Sequence, residues 1–111
     1  MSSALNRRPA LAEFVARLRQ RLKAHVLDVR LFGSEARGEA TAESDIDVLV
    51  VVQPEGDRVR LEDAIIDLAF DVNLAFDVYI SPRVMTPAML NDPVRRGTPF
   101  LTSIARESLP L

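Results

Sequence analysis

Apolar residues near the start of the chain recur every three or four positions, which is the spacing of an amphipathic helix. Leu11, Phe14 and Leu18 fall on one face of such a helix. Pro9 precedes them, near the first turn, where the missing N–H group of proline costs nothing. The pattern predicts a helix over residues 9–25.

Two strands and a second helix are predicted next. Residues 26–32 alternate loosely between apolar and polar side chains, and residues 45–52 form an apolar run that stops at Gln53 and Pro54. Both segments are typical of strands. Helical spacing returns over residues 57–74. One face of that helix contains Leu61, Ile65, Leu68 and Val72, and the opposite face contains Asp63, Asp67 and Asp71, which we interpret as solvated acids.

The last third of the chain predicts one more strand and a broken helix. Residues 76–81 alternate again, with Asp77 opening the strand and Pro82 closing it. From Thr86 onward the helical spacing returns, interrupted by two prolines and a glycine. This order of elements predicts an α/β (α+β) fold, with a small mixed sheet of three or four strands and helices packed on one face.

Composition narrows the class of protein. With 111 residues, 48% of them hydrophobic, the chain is expected to form a single domain over residues 1–111. A net charge of -2 provides no overall positive potential, so we expect no direct nucleic-acid binding. The absence of cysteine excludes disulfides, thiolate zinc sites and a cysteine nucleophile. No apolar run is long enough to cross a bilayer, and we expect a cytoplasmic protein without a membrane partner.

The net charge conceals an uneven distribution along the chain. Residues 1–25 contain six basic residues and one acid, a charge of +5, whereas residues 26–77 contain thirteen acids and four arginines, a charge of -9. Solvated helix faces account for most of these acids. The alternative for a few of them is a cation site.

A candidate phosphate-binding turn lies at residues 31–38, with the sequence LFGSEARG. Gly33 has no side chain, so a phosphate can approach its backbone closely. Ser34 offers a hydroxyl and an amide N–H where a short helix begins. Alone, a Gly-Ser pair between a strand and a helix is common and carries little information.

Two aspartates near this turn make the signal more specific. Asp45 and Asp47 are two residues apart at the head of a strand, so both carboxylates project from one face while Ile46 and Val48 enter the core. Their Cα atoms would be about 6.5 Å apart, a separation at which two carboxylates can share divalent cations. Asp77 would complete a triad of oxygen ligands for magnesium if its strand lay beside theirs. Three hard ligands and a phosphate-binding turn predict a nucleotide site.

These residues resemble a known family. Gly33-Ser34, ten intervening residues, then Asp45-Ile46-Asp47 and a later strand-opening aspartate are similar to the nucleotidyltransferase superfamily related to polymerase beta. Within it, the strings GSEARGEATAESDIDVLV and FLTSIARESL resemble the minimal nucleotidyltransferases, the MNT proteins, and in particular MntA-type antitoxins.

The resemblance implies a role for each matching residue. Gly33 and Ser34 would hold the nucleotide phosphates, and Asp45, Asp47 and Asp77 would bind two Mg²⁺ ions and carry catalysis. Arg37 also matches the family's usual stretch, and contact with phosphate or exposure on a helical turn remain equal alternatives for it.

The resemblance further implies transfer of AMP from ATP to a tyrosine of a HEPN-family ribonuclease toxin, so that the protein acts as an antitoxin. Two alternatives remain open. One is nucleotidyl transfer to a small molecule. This alternative is the weaker one, because enzymes of that kind resemble this domain joined to a substrate-binding domain. The other is an antitoxin that neutralises its partner by binding alone, with the basic N-terminal helix as a docking surface.

Overall fold

A computed structural model describes residues 4–111, which form six helices and four strands. In chain order these are α1 (Ala4–Leu22), β1 (Val26–Phe32), α2 (Gly33–Arg37), β2 (Ile46–Val52), α3 (Arg58–Phe76), β3 (Ile80–Met85), α4 (Pro87–Leu90), α5 (Pro93–Arg96), α6 (Pro99–Glu107) and β4 (Leu109–Pro110). A 3₁₀ turn, Lys23–His25, joins α1 to β1. None of the described helices is both long enough and apolar enough to span a membrane.

The strands form one mixed sheet in the order β3-β2-β1-β4. β1 pairs antiparallel with β2 and with β4, and β2 pairs parallel with β3. The parallel pair requires a crossover, which α3 provides. The predicted small mixed sheet is therefore confirmed, with β2, the strand that follows Asp45, in a central position.

Helices cover both faces of the sheet, which extends the prediction of helices on one face. Alternate residues of β2 belong to two separate apolar clusters. The larger cluster packs Val48 and Val50 against Phe14 of α1 and Ile65 of α3. The smaller cluster, on the opposite face, packs Leu49 and Val51 of β2 and Met85 of β3 against Leu101 and Ile104 of α6. Asp47 shares the face of this smaller cluster.

The first helix starts earlier than its sequence pattern predicts. It includes Ala4, and Pro9 lies inside it instead of in its first turn. Two tertiary contacts hold the segment before the proline: the Asn6 side chain donates to the Phe76 carbonyl at 3.0 Å, and Arg7 is buried. Contacts made far along the chain therefore outweigh the local cost of an interior proline.

The boundary between α3 and β3 was predicted wrongly. α3 continues to Phe76, Asp77 ends it in the left-handed conformation with φ of 54°, and the strand begins only at Ile80. Asn73 fixes this boundary, because its side-chain amide accepts from the Ile80 N–H at 2.7 Å and donates to the Ile80 carbonyl at 3.1 Å. Pro82 lies within β3, which tolerates it because β3 is an edge strand.

Candidate active site

Gly33 and Asp47 are packed against each other at the end of the β1–β2 pair. Phe32 pairs with Asp47 in the sheet, which brings the turn that follows β1 over the Asp47 side chain. A Cβ on Gly33 would overlap a carboxylate oxygen of Asp47 and lie 3.2 Å from its Cγ. Gly33 also has a φ of +74°, a conformation that other residues rarely adopt. Glycine is therefore required here both by the backbone and by the carboxylate beside it.

Ser34 is the second residue of the short helix α2, and Gly38 caps the C-terminal end of that helix. The Ser34 carbonyl accepts from the Glu39 N–H at 2.9 Å, and Gly38 ends α2 in the left-handed conformation. The Ser34 side chain is partly exposed and its hydroxyl bonds to no other described residue. It is therefore available to a ligand held above the Gly33–Asp47 contact.

The two aspartates differ in their surroundings. Asp45 is exposed just before β2, and Asp47 is half-buried as the second residue of that strand. Burial, and then the negative charge of Asp45, raise the pKa of Asp47 above its usual value, while Arg83 and Arg37 oppose this effect. A cation between the two carboxylates would relieve their mutual repulsion.

Arg7 ties together the two segments that flank these aspartates. Its side chain is 5% exposed, and its Nε donates to Glu35 of α2 at 2.6 Å while its Nη1 donates to the Ser44 carbonyl at 2.8 Å. The buried Nη2 has no hydrogen-bond partner among the described residues. Arg7 thus fixes α2 relative to the loop that leads into Asp45.

Sequence reasoning missed Arg7, although a signal was present. Arg7 stands three and four residues before Ala10 and Leu11, so it continues the apolar face of α1 towards the N-terminus. A charged residue on a buried helix face requires a partner, and Glu35 is that partner.

Arg37 forms ion pairs with two carboxylates of the protein. It is exposed and donates to Glu39 and, at 3.1 Å, to Glu107 of α6. The hydrogen bond to Glu39, followed by that to Glu107, raises the pKa of Arg37 above its usual value. Arg37 is exposed and its guanidinium bridges α2 to α6, and its contact with phosphate stays a prediction.

Asp77 is not grouped with the aspartate pair. Among residues 4–111, no three carboxylate or imidazole side chains lie close enough to hold one metal ion. Asp77 instead lines a small cavity, of about 170 Å³, together with Ser44 and Tyr79. The physical reason is its position at the end of α3, three residues before the strand it was predicted to open.

Comparison with known proteins identifies the family. The sequence profile described as "Nucleotidyltransferase domain" matches residues 11–107. This chain belongs to that family. A Methanocaldococcus jannaschii protein named as a candidate protein adenylyltransferase is 36% identical over 87 residues, covering 78% of this chain and 81% of the relative.

Solved structures support the same assignment. A candidate minimal nucleotidyltransferase is 25% identical with a TM-score of 0.61, covering 100% of this chain and 97% of the other. A toxin–antitoxin crystallised with AMP-PNP shares the fold, with a TM-score of 0.54 and 19% identity, covering 87% of this chain and 68% of the other. The resemblance to the minimal nucleotidyltransferases is confirmed.

The donor set of this nucleotidyltransferase suits a hard divalent cation. Asp45 and Asp47 supply two carboxylates beside the Gly33–Ser34 turn, and magnesium prefers carboxylate, phosphate and water oxygens. The half-buried Asp47 provides a ligand whose carboxylate occupies the space that a side chain at residue 33 would fill. This pair of side chains would hold Mg²⁺ together with the phosphates of a nucleotide.

Proposed function

We propose that this nucleotidyltransferase moves an AMP group from ATP to a hydroxyl of a partner protein, and that the partner is a HEPN-family toxin modified on a tyrosine. The proposal rests above all on one observation, the contact of Gly33 with Asp47. That contact places a phosphate-binding turn directly on one of two carboxylates that can share a cation.

The nucleotide lies over the Gly33 turn in this proposal. The Ser34 hydroxyl and the backbone of the turn would bind phosphate oxygens, and Asp45 and Asp47 would hold Mg²⁺. When bound, magnesium supplies positive charge that neutralises the phosphates during the displacement. Asp47 is oriented by Gly33 and by its place in β2, so the phosphates are positioned by rigid elements of the fold.

The reaction is a displacement at the α-phosphorus of ATP. The acceptor oxygen forms a bond to that phosphorus, the bond to the pyrophosphate group breaks, and pyrophosphate leaves. The acceptor's proton must go to a base, and Asp77 is the candidate, because it lines a cavity that adjoins Ser44. In this role Asp77 acts on the acceptor and does not hold the metal.

The protein acceptor is supported by the relatives. The Methanocaldococcus jannaschii relative is named for protein adenylylation, and one structural neighbour is a toxin–antitoxin crystallised with AMP-PNP. Together they favour ATP as the nucleotide and a toxin as the acceptor, so that transfer of AMP inactivates the toxin.

The test combines the purified chain with a HEPN-family toxin as the acceptor, ATP and Mg²⁺. We expect intact-mass measurement to show AMP added to the HEPN protein, and peptide mapping to locate it on a tyrosine. The Asp45→Asn, Asp47→Asn double variant should add none. If the double variant protects cells from the toxin as well as the parent does, neutralisation occurs by binding alone and the proposal is wrong.

A further inference from the structure

The face of β3 that adjoins Asp47 carries no acid. Asp47 pairs with Ser81 in the parallel β2–β3 ladder, and Leu49 pairs with Arg83. Because side chains alternate along strands, Ser81 and Arg83 project on the same side of the sheet as Asp47. The strand next to the aspartate pair therefore presents a hydroxyl and a guanidinium to this side of the site.

The Arg83 guanidinium is held in place by aromatic rings. Its Cζ lies 4.4 Å from the centre of the Phe100 ring, and Phe100 packs edge-on against Phe32 with ring centres 5.3 Å apart. Phe32 is the residue immediately before Gly33. A continuous set of packed side chains therefore connects the position of Arg83 with the phosphate-binding turn.

Arg83 is exposed, and it forms no ion pair with any residue in the described part of the chain. Its neighbours along the same side of the protein behave differently. Arg95 pairs with Asp92 at 3.6 Å, and Arg58 pairs with Glu62 at 3.6 Å. All three arginines line an open cavity of about 410 Å³, and among them Arg83 is the one without an ion pair to a described residue.

We propose that Arg83 binds the β- and γ-phosphates of the nucleotide and then the departing pyrophosphate, and that the site holds one divalent cation, on Asp45 and Asp47. The inference rests on the proposed nucleotidyl transfer. A planar guanidinium donates to two phosphate oxygens at once and keeps its charge at all working pH values, so it serves where a second cation would otherwise be needed.

The electrostatics of the aspartate pair agree with this placement. Arg83 is one of two arginines whose positive charge lowers the pKa of Asp47. The other, Arg37, is already engaged by Glu39 and Glu107. Arg83 is therefore close enough to influence the carboxylate that would hold the metal, and its donors are available to phosphate.

The first measurement is calorimetric binding of AMP-PNP with Mg²⁺ and, separately, of inorganic pyrophosphate. We expect Arg83→Gln to weaken both by roughly ten- to a hundredfold, which is the effect of losing charge-assisted hydrogen bonds. Arg83→Lys should recover only part of this loss, because an ammonium is not bidentate. The matched control Arg95→Gln should change either affinity by less than about twofold.

The second measurement counts metal ions by electron paramagnetic resonance of Mn²⁺ with AMP-PNP bound. We expect one ion per parent chain. Two ions per chain, or unchanged affinities in Arg83→Gln, would overturn the inference. Neither binding affinity nor metal count depends on transfer of AMP. If the parent binds pyrophosphate through Arg83 but modifies no protein, the proposed function is wrong. If Arg83→Gln transfers AMP as well as the parent does, the proposed role of Arg83 is wrong.

Discussion

Gly33 and Gly38 have nearly the same backbone conformation, with φ of +74° and +73°, but only Gly33 has neighbours where a side chain would lie. A Cβ at Gly33 meets the Asp47 carboxylate, whereas a Cβ at Gly38 meets nothing within 4 Å. The two positions therefore separate the cost of a left-handed backbone from the cost of displacing a metal ligand.

We expect Gly38→Ala to lower the free energy of unfolding by about 1 kcal/mol and to leave nucleotide affinity nearly unchanged. Gly33→Ala should show a similar or larger loss of stability and should also weaken Mg²⁺–AMP-PNP binding severely, because Asp47 must move. Urea denaturation and calorimetry measure the two quantities. Equal nucleotide affinities in the two variants would show that the contact with Asp47 does not position the ligand.

The raised pKa of Asp47 has a consequence for stability without metal. The folded chain keeps the Asp47 proton at pH values where the unfolded chain, with a pKa near 3.8, has lost it. The free energy of unfolding therefore falls as the pH rises from that value through the raised pKa of the folded chain. Below this window Asp47 is protonated in both the folded and the unfolded chain, so its unfavourable effect on the free energy of unfolding is absent.

Asp47→Asn should accordingly be more stable than the parent at neutral pH in the presence of a chelator, and equally stable at low pH. The parent should also lose Mn²⁺ affinity as the pH falls through the same window, since the cation binds the ionised carboxylate. Thermal melts and metal titrations from acid to neutral pH check both statements. If Asp47→Asn were less stable than the parent at neutral pH, burial would not be the main influence on the pKa of Asp47.

Among the elements, α1 contributes to the site through one buried arginine. Arg7 and Glu35 are only 5% and 13% exposed, so removing the cation leaves the Glu35 carboxylate uncompensated and takes away the donor that binds the Ser44 carbonyl. Breaking one partner of a buried pair costs about 3–5 kcal/mol. Arg8, the next residue, is exposed and provides a matched control.

We therefore expect Arg7→Met to lower the free energy of unfolding by about 3–5 kcal/mol, and Arg8→Met to change it by less than about 0.5 kcal/mol. Arg7→Lys should lie between them. Urea denaturation measures all three. Similar stabilities for Arg7→Met and Arg8→Met would show that α1 does not hold α2 and the loop before β2 in place.

Asp77, at the end of α3, lines a cavity with Ser44, and in the proposed reaction it is the base that takes the acceptor's proton. Asparagine tolerates the left-handed backbone of this position, so Asp77→Asn should fold normally. We expect it to lose at least about a hundredfold in AMP transfer, as for a missing general base, with unchanged Mn²⁺ affinity.

Asp71, exposed on the same helix, provides the control for Asp77. Asp71→Asn should retain nearly full transfer and the parent's Mn²⁺ affinity. A loss of Mn²⁺ affinity in Asp77→Asn would instead restore the third metal ligand that the sequence predicted. Transfer rates and Mn²⁺ titrations, measured on both variants, distinguish the two roles.

On the scale of the whole molecule, we expect the negative charge of the middle of the chain to make nucleotide binding dependent on a cation. A triphosphate placed beside Asp45 and Asp47 adds like charges at short range. We expect ATP with Mg²⁺ to raise the thermal midpoint of the parent, by linkage of binding to folding, and ATP with a chelator to raise it far less. Equal shifts in both conditions would exclude the metal site.

Elements with a strong local pattern were predicted well from the sequence. Residues 26–32 form β1 as predicted, the predicted helix 57–74 differs from α3 by one or two residues at each end, and Pro93 and Pro99 begin α5 and α6. The sequence alone could propose Gly33, Ser34, Asp45 and Asp47 as site residues, because their spacing along one strand–turn–strand segment is short. Local periodicity and turn chemistry suffice for such features.

Only the tertiary structure decided the features that depend on contacts between distant segments. Asn73 binds the backbone of Ile80, so β3 starts three residues after Asp77. Arg7 pairs with Glu35, 28 residues away, and α1 begins before Pro9. The register of β2 and β3 places Arg83, a residue without a sequence signal, on the face of Asp47. Hydrogen-bonding requirements of buried groups and sheet register, which have no counterpart in periodicity, set these positions.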